Sequence, residues 1–278
     1  MNFNFIGGKN FGDAVNALFW EEMIKKPLFV NPYEIHYITT GSIMCLVNRK
    51  SIIFGTGFIS KDGDLGGGDF TSTQNRMVNR PFDVIAVRGP LSRQKLLDHD
   101  IECPENYGDP LILMPCIYDK SCNVEDKKVG IIPHYIDKDS DKVKELEKNL
   151  TDSGYEVSII DIEIGHDYPK LIDEINACKY IISSSLHGVI MGLVYKKHTC
   201  FLEFSNKVIG DRFKFFDFFK SIDIDFEYKE DYTSDILNHT ITIDYSKLRD
   251  VGINLIKICP FIDRARKNIL IDKYSSFY

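Results

Sequence analysis

The stretch Tyr180-Ile181-Ile182-Ser183-Ser184-Ser185-Leu186-His187-Gly188-Val189-Ile190-Met191-Gly192-Leu193 changes character twice. A β-branched, aromatic run, the pattern of a strand buried on both faces, gives way to three serines. After Leu186-His187-Gly188 an apolar segment resumes that reads as a buried helix. A helix starting at this turn presents free backbone N–H groups, joined here by the hydroxyls of Ser183, Ser184 and Ser185, so the turn can hold an anion with His187 at its mouth. In a parallel sheet such a turn falls at the carboxyl end of its strand, where open α/β sheets bind ligands. Read as structure alone, the same residues are serine caps and a satisfied, partly buried histidine.

The flanking sequence supplies the sheet. Strand patterns at 129–132, 155–160, 180–182 and 199–204 alternate with helical patterns at 140–153, stopped by Gly154, and at 168–177. Alternation of this kind gives a parallel sheet with right-handed crossovers. The first of these strands runs into Pro133-His134-Tyr135, placing a second histidine at a strand's carboxyl end. Residues 210–219 pack five phenylalanines among charges, the aromatics reading as core and Arg212 and Lys214 as a solvated face. Residues 246–278 read as two helices broken at Pro260, a tail suited to packing back across the domains.

The first half is less regular. A glycine-rich turn, Gly7-Gly8-Lys9-Asn10-Phe11-Gly12-Asp13, precedes a helical pattern over 14–25 and suggests close approach by a ligand or a simple helix entry. Asp13-Ala14 stand where a Walker motif requires Lys and Ser/Thr. Residues 51–54 form a strand ending in Gly55-Thr56-Gly57-Phe58, and 61–69 is a loop of four glycines and three aspartates. Residues 84–87 form a strand that delivers Arg88 before Gly89-Pro90 and a helix over 91–97. Arg88 there serves either a forked contact with phosphate or carboxylate or a structural salt bridge. The polar segment 115–128 reads as the link between domains 1–120 and 121–278.

With 278 residues, 44% hydrophobic and 27% charged, the chain is long enough for one large or two medium globular domains. A net charge of -7 disfavours nucleic acid, so any anion must be held by a few local cations. No apolar run reaches the ~18 residues of a membrane span, and a basic-then-apolar leader is absent, which predicts a cytoplasmic protein. Seven cysteines without a CxxC pair or a histidine cluster predict reduced packing residues and no metal site.

Six motifs in order make the chain resemble the polysaccharide pyruvyl transferase family. They are Gly-x-x-Asn-x-Gly-Asp at 7–13, Phe-Gly-x-Gly at 54–57, Val-Arg-x-Pro-x-Ser at 87–92, Gly-Asp-Pro at 108–110, Pro-His-Tyr at 133–135 and Ser-x-Leu-His-Gly at 184–188. The resemblance implies an α/β fold of two Rossmann-like domains with parallel sheets in a GT-B-like arrangement, with a cleft between domains. It also implies transfer of the pyruvyl group of phosphoenolpyruvate, as a cyclic ketal, onto two hydroxyls of a sugar in bacterial capsular or exopolysaccharide biosynthesis. Phosphoenolpyruvate is then a co-substrate, with no cofactor, and the acceptor is free or a lipid-linked oligosaccharide, the latter requiring peripheral contact with the inner face of the cytoplasmic membrane.

Carried onto this sequence, the resemblance gives His187 and His134 catalytic roles. Arg88, Ser184, Ser185, Leu186 and Gly188 are assigned to the donor, and Asn10, Gly12, Asp13, Asp109, Tyr135 and Arg212 to the acceptor or cleft. Many relatives have Arg where this chain has Ser185, so the donor's charge must be met by Arg88 or by Lys9, Arg93 or Arg212. A nucleotide-sugar glycosyltransferase and a non-catalytic carbohydrate-binding relative are the competing readings.

Overall fold

A computed structural model of the chain describes residues 1–62, 79–120 and 123–278. Of the glycine-rich loop at 61–69, only Lys61 and Asp62 lie within the described residues. In chain order, β1 (Asn2–Phe3) leads through a short α1 (Phe11–Ala14) into α2 (Asn16–Ile24). Strands β2 (Phe29–Val30), β3 (His36–Ile38), β4 (Ser51–Phe54) and β5 (Asp83–Ala86) follow, then α3 (Pro90–Leu97) and a 3-10 segment, Pro110–Cys116. The second half runs β6 (Glu125–Ile132), α4 (Asp141–Asp152), β7 (Glu156–Ile159), α5 (Tyr168–Ala177), β8 (Cys178–Ser183), α6 (Leu186–Val194) and β9 (His198–Phe201). It closes with α7 (Phe213–Ser221), α8 (Tyr245–Ile258) and α9 (Arg264–Phe277).

Local chemistry sets these boundaries. Asn10 caps α1 through its side-chain oxygen, Ser140 caps α4, and Pro90 and Pro110 open their elements where a missing N–H has no cost. The strand bounds read for β4 are those observed, and β8 and α6 meet at the serine turn.

Among the described residues, β1–β5 form one parallel sheet of order β2-β1-β3-β4-β5, and β6–β9 form a second of order β7-β6-β8-β9. The chain is an α/β protein of two parallel sheets, consistent with Rossmann-like domains in a GT-B-like arrangement. Each order reverses direction once, between β1 and β3 in the first sheet and between β6 and β8 in the second. Loops leaving the carboxyl ends of such neighbours diverge to opposite faces and open a crevice.

One hydrophobic core joins the halves, running from Trp20 and Phe54 to Ile181 and Val189. The C-terminal tail crosses back onto the first sheet. Phe261, between α8 and α9, sets its ring 4.9 Å from Trp20 and 5.5 Å from Phe54, both edge-on. Arg266 donates to the carbonyls of Met23 and Glu22 at the end of α2. The 3-10 segment Pro110–Cys116 is buried throughout and packs on α6, α8 and α9. Chain order therefore assigns α7–α9 to the second half while much of their packing is with the first. Among the described residues no helix is long and apolar enough to cross a membrane.

Candidate active site

The two crevices face one another across a cavity of about 270 Å³. From the first sheet come Ile6, Asn10 and Asp13 after β1, and Gly41 and Ser42 after β3. From the second come His134 and Tyr135 after β6, and Ser185, Leu186 and His187 after β8. Ile209 and Lys214, beyond β9, complete the wall.

His187 stands in the first turn of α6 and is 8% exposed. Its Nε2 lies 3.6 Å from Oδ2 of the fully buried Asp109, and both atoms lack a hydrogen-bond partner. Asp109 is held in place because its Oδ1 accepts from the Leu111 N–H, capping the 3-10 segment. A shift of a few tenths of an ångström joins the pair. On its other side the imidazole rests on Gly12, where a Cβ would stand 1.8 Å from Nδ1. Gly12 is thus needed for space, and Asn10 fixes it by accepting its N–H at 3.1 Å.

The serine turn divides its labour. Ser183 Oγ donates to the Ile132 carbonyl and accepts the Ser185 N–H; Ser184 Oγ accepts the His134 N–H at 2.8 Å, tying β6 to β8. Of the three, Ser185 lines the cavity. Gly188 packs against the strand, since its Cβ would meet Ser183 Oγ at 2.4 Å. Ser185 makes no side-chain cap, and the N–H groups of Leu186, His187 and Gly188 make no hydrogen bond among the described residues, so the positive end of α6 stays open to an anion.

His134 is held neutral: burial, with Lys214 nearby, pushes its imidazole down to about 3. Its Nδ1 accepts the Ile136 N–H at 3.4 Å, which leaves the proton on Nε2, and its ring lies 4.4 Å from that of Tyr135. Asp13 is raised above the usual carboxylate range by burial, against the lowering pull of His187 and Lys214. Lys214, in the first turn of α7, is pushed down to about 8 by burial and by Arg88, against Asp13 and Glu203. Among the described residues its ammonium makes no hydrogen bond or ion pair.

None of the four cations expected to meet the donor's charge, Arg88, Lys9, Arg93 and Arg212, lines the cavity. Arg88 is completely buried and does not line the cavity. Its guanidinium pairs with Asp217 of α7 at 3.1 Å and donates to Ser42 Oγ and the Phe58 carbonyl. Asp217 also accepts from the N–H and Oγ of Ser92 at 2.9 and 2.6 Å. The glycines of two motifs serve this clamp: a Cβ on Gly57 would stand 2.6 Å from Arg88 Cζ, and one on Gly89 1.8 Å from the Asp217 carbonyl oxygen. The salt-bridge alternative for Arg88 is therefore the one observed. Arg212 lies in a second cavity, bonded to Glu203 at 2.6 Å with its guanidinium 3.6 Å over the Tyr228 ring.

Ser42 and Asp217 escaped the sequence reading, and Lys214, read as a solvated face, is buried and lines the cavity. A signal existed: on a helical period Lys214, Asp217, Phe218 and Ser221 share one face, and all four are buried. Charges on an apolar face mark a buried pair or a site rather than a solvated surface. Among the described residues no group of three or more His, Cys, Asp or Glu side chains gathers as metal ligands.

Paired parallel sheets with their switch points turned on one cavity, an open helix N-terminus and a histidine beside a buried carboxylate make this the candidate active site of a two-sheet α/β protein. The model of the polysaccharide pyruvyl transferase family matches residues 5–206, and the chain belongs to that family. Among curated proteins it is similar to the uncharacterized protein L143 of Acanthamoeba polyphaga mimivirus, 28% identical over 260 residues that cover 90% of this chain and 84% of the relative. No solved structure matches significantly. Family membership carries the coarse activity, transfer of a pyruvyl group to a polysaccharide.

Proposed function

We propose that the cavity between the sheets binds phosphoenolpyruvate and that the chain moves its pyruvyl group onto two hydroxyls of one sugar as a cyclic ketal, releasing phosphate. The supporting observation is the meeting, in one cavity, of an unpaired buried ammonium, the open N-terminus of α6 and the His187–Asp109 pair. A compact dianion bearing a carboxylate needs the first two; an enol ether-like carbon needs an acid.

In this scheme Lys214 and the α6 N–H groups hold the donor's oxyanions. A proton delivered to the methylene carbon makes it a methyl group and leaves the central carbon open to attack. One sugar hydroxyl adds, the carbon–oxygen bond to phosphate breaks, and the second hydroxyl closes the ketal. Of the two hydroxyl protons, one balances the methyl group and the other leaves with phosphate. His187 is the proton carrier, because Asp109 stands beside its Nε2 and His187 itself lines the cavity. Asp13, raised by burial, suits the base that takes a hydroxyl proton. His134, neutral, contributes Nε2–H as a donor without charge.

The test is acceptor-dependent phosphate release from phosphoenolpyruvate with galactosyl, glucosyl and mannosyl acceptors, comparing wild type with His187→Ala. The expected result is a product heavier by one pyruvyl ketal and a loss of roughly 10²–10⁴-fold on substitution, with the protein still folded at the assay temperature. Near-normal turnover by His187→Ala would sink the assignment.

A further inference from the structure

A second cavity, of about 790 Å³, opens over the carboxyl ends of β6 and β9. Its wall continues that of the first: Tyr135 lines one and Ile136 the other, while Ile209 and Lys214 line one and Lys207 and Arg212 the other. A ligand long enough to cross these segments reaches from one cavity into the next.

Asp137 shows what the second cavity is built to hold. It is 1% exposed; Oδ1 accepts from Ser205 Oγ, and Oδ2 has no hydrogen-bond partner. A buried carboxylate oxygen without a donor is a rare and costly feature, which a hydroxyl-bearing ligand relieves. Two tyrosines stand in the same wall. Arg212 covers the ring of Tyr228, and Tyr232 donates to the Glu203 carbonyl while Lys142 reaches its hydroxyl at 2.9 Å. With Arg212 over Tyr228 and Lys142 over Tyr232, the wall offers a ligand hydroxyl and carboxylate oxygens rather than open ring faces, groups that suit the hydroxyls of a sugar.

Charge separates this from a nucleotide site. Five acidic side chains in the wall face three basic ones, and two of the basic ones, Arg212 and Lys142, are already paired with Glu203 and Glu230. The nearby N-terminus of α4 is capped by Ser140 and followed by Asp141. A diphosphate meets net negative charge here; a neutral glycan does not.

We propose that this second cavity binds the non-reacting sugars of the acceptor, a neutral oligosaccharide segment, while the sugar that takes the pyruvyl group reaches His187. The identity of the ligand as acceptor rests on the pyruvyl-transfer reading; the binding of sugar does not.

The experiment measures binding of neutral trisaccharides of galactose, glucose and mannose to the full chain by calorimetry and saturation-transfer NMR, with phosphoenolpyruvate protection against melting recorded in parallel. At least one trisaccharide is expected to bind, and Asp137→Asn to weaken it at least tenfold. Asn206→Trp, an exposed wall position that obstructs the cavity without touching the core, gives the same loss should Asp137→Asn fail to fold. Three results overturn the inference: no trisaccharide binding while phosphoenolpyruvate still protects, binding indifferent to both substitutions, or uridine diphosphate binding that either substitution abolishes. Absence of phosphoenolpyruvate protection, with sugar binding intact, counts instead against the proposed donor.

Discussion

Arg88 and Lys214 are both buried cations, and helix α7 governs both, yet they do opposite things. Arg88 meets Asp217 of α7 and is neutralised within the fold. Lys214, three residues before Asp217 on the same helix, enters the cavity with its ammonium unpaired and its proton made labile by burial. A paired buried charge holds structure; an unpaired one beside a cavity is charge kept for a ligand. The two are linked, because the Arg88–Asp217 contact docks α7 against α3 and so sets where Lys214 points.

The largest effect separates them by stability. Arg88→Met strands the Asp217 carboxylate, and Asp217→Ala strands the guanidinium; each should cost about 3–5 kcal/mol in denaturant unfolding, because the remaining charge is buried alone. A loss under about 1 kcal/mol would mean that the clamp is not what holds α7. Next comes Gly12→Ala. The new methyl group stands on the His187 ring, so turnover should fall by roughly 10²-fold and stability by about 1–3 kcal/mol, as the ring is pushed out of its place. Unchanged turnover would show that the ring is free to move.

The smallest effect concerns His134 and acid. Its pKa is about 3 in the fold against about 6.5 unfolded, so the unfolded chain binds the extra proton first and stability falls as pH drops below 6.5. Between pH 6.5 and 5 this group should account for about 2 kcal/mol, a slope that His134→Asn flattens in urea titrations across that range. An identical slope in the variant would place the acid sensitivity elsewhere.

Legibility followed the length and regularity of each segment. The β8 strand and α6 helix could be read because a long apolar run, a serine turn and a histidine stand in a row, and α5 matched its reading at both ends. Strands β2 and β3, of two and three residues, are too short for a period to show; their partners across the sheet define them. The site divided in the same way. Histidines and glycines at strand ends announced themselves by position, and the cavity gathers His134, Tyr135, Ser185 and His187 with Asn10 and Asp13. The cation was misread, since the clamp that makes Arg88 structural lies 129 residues further along the chain, in a helix whose phenylalanines hid its buried charged face.

The assignment of Lys214 as the donor's cation is tested most directly by titrating phosphoenolpyruvate into wild type and Lys214→Met by calorimetry, with melting measured on both. Burial holds Lys214 at about 8 against 10.5, so at neutral pH its charge costs the fold up to about 3 kcal/mol, relieved only as pH rises from about 8 towards 10.5. Lys214→Met should therefore melt higher at pH 7 and bind phosphoenolpyruvate about 10- to 100-fold more weakly, and wild-type affinity should itself decline as pH rises through about 8. A variant that binds phosphoenolpyruvate as tightly as wild type, with the same pH profile, would contradict the account.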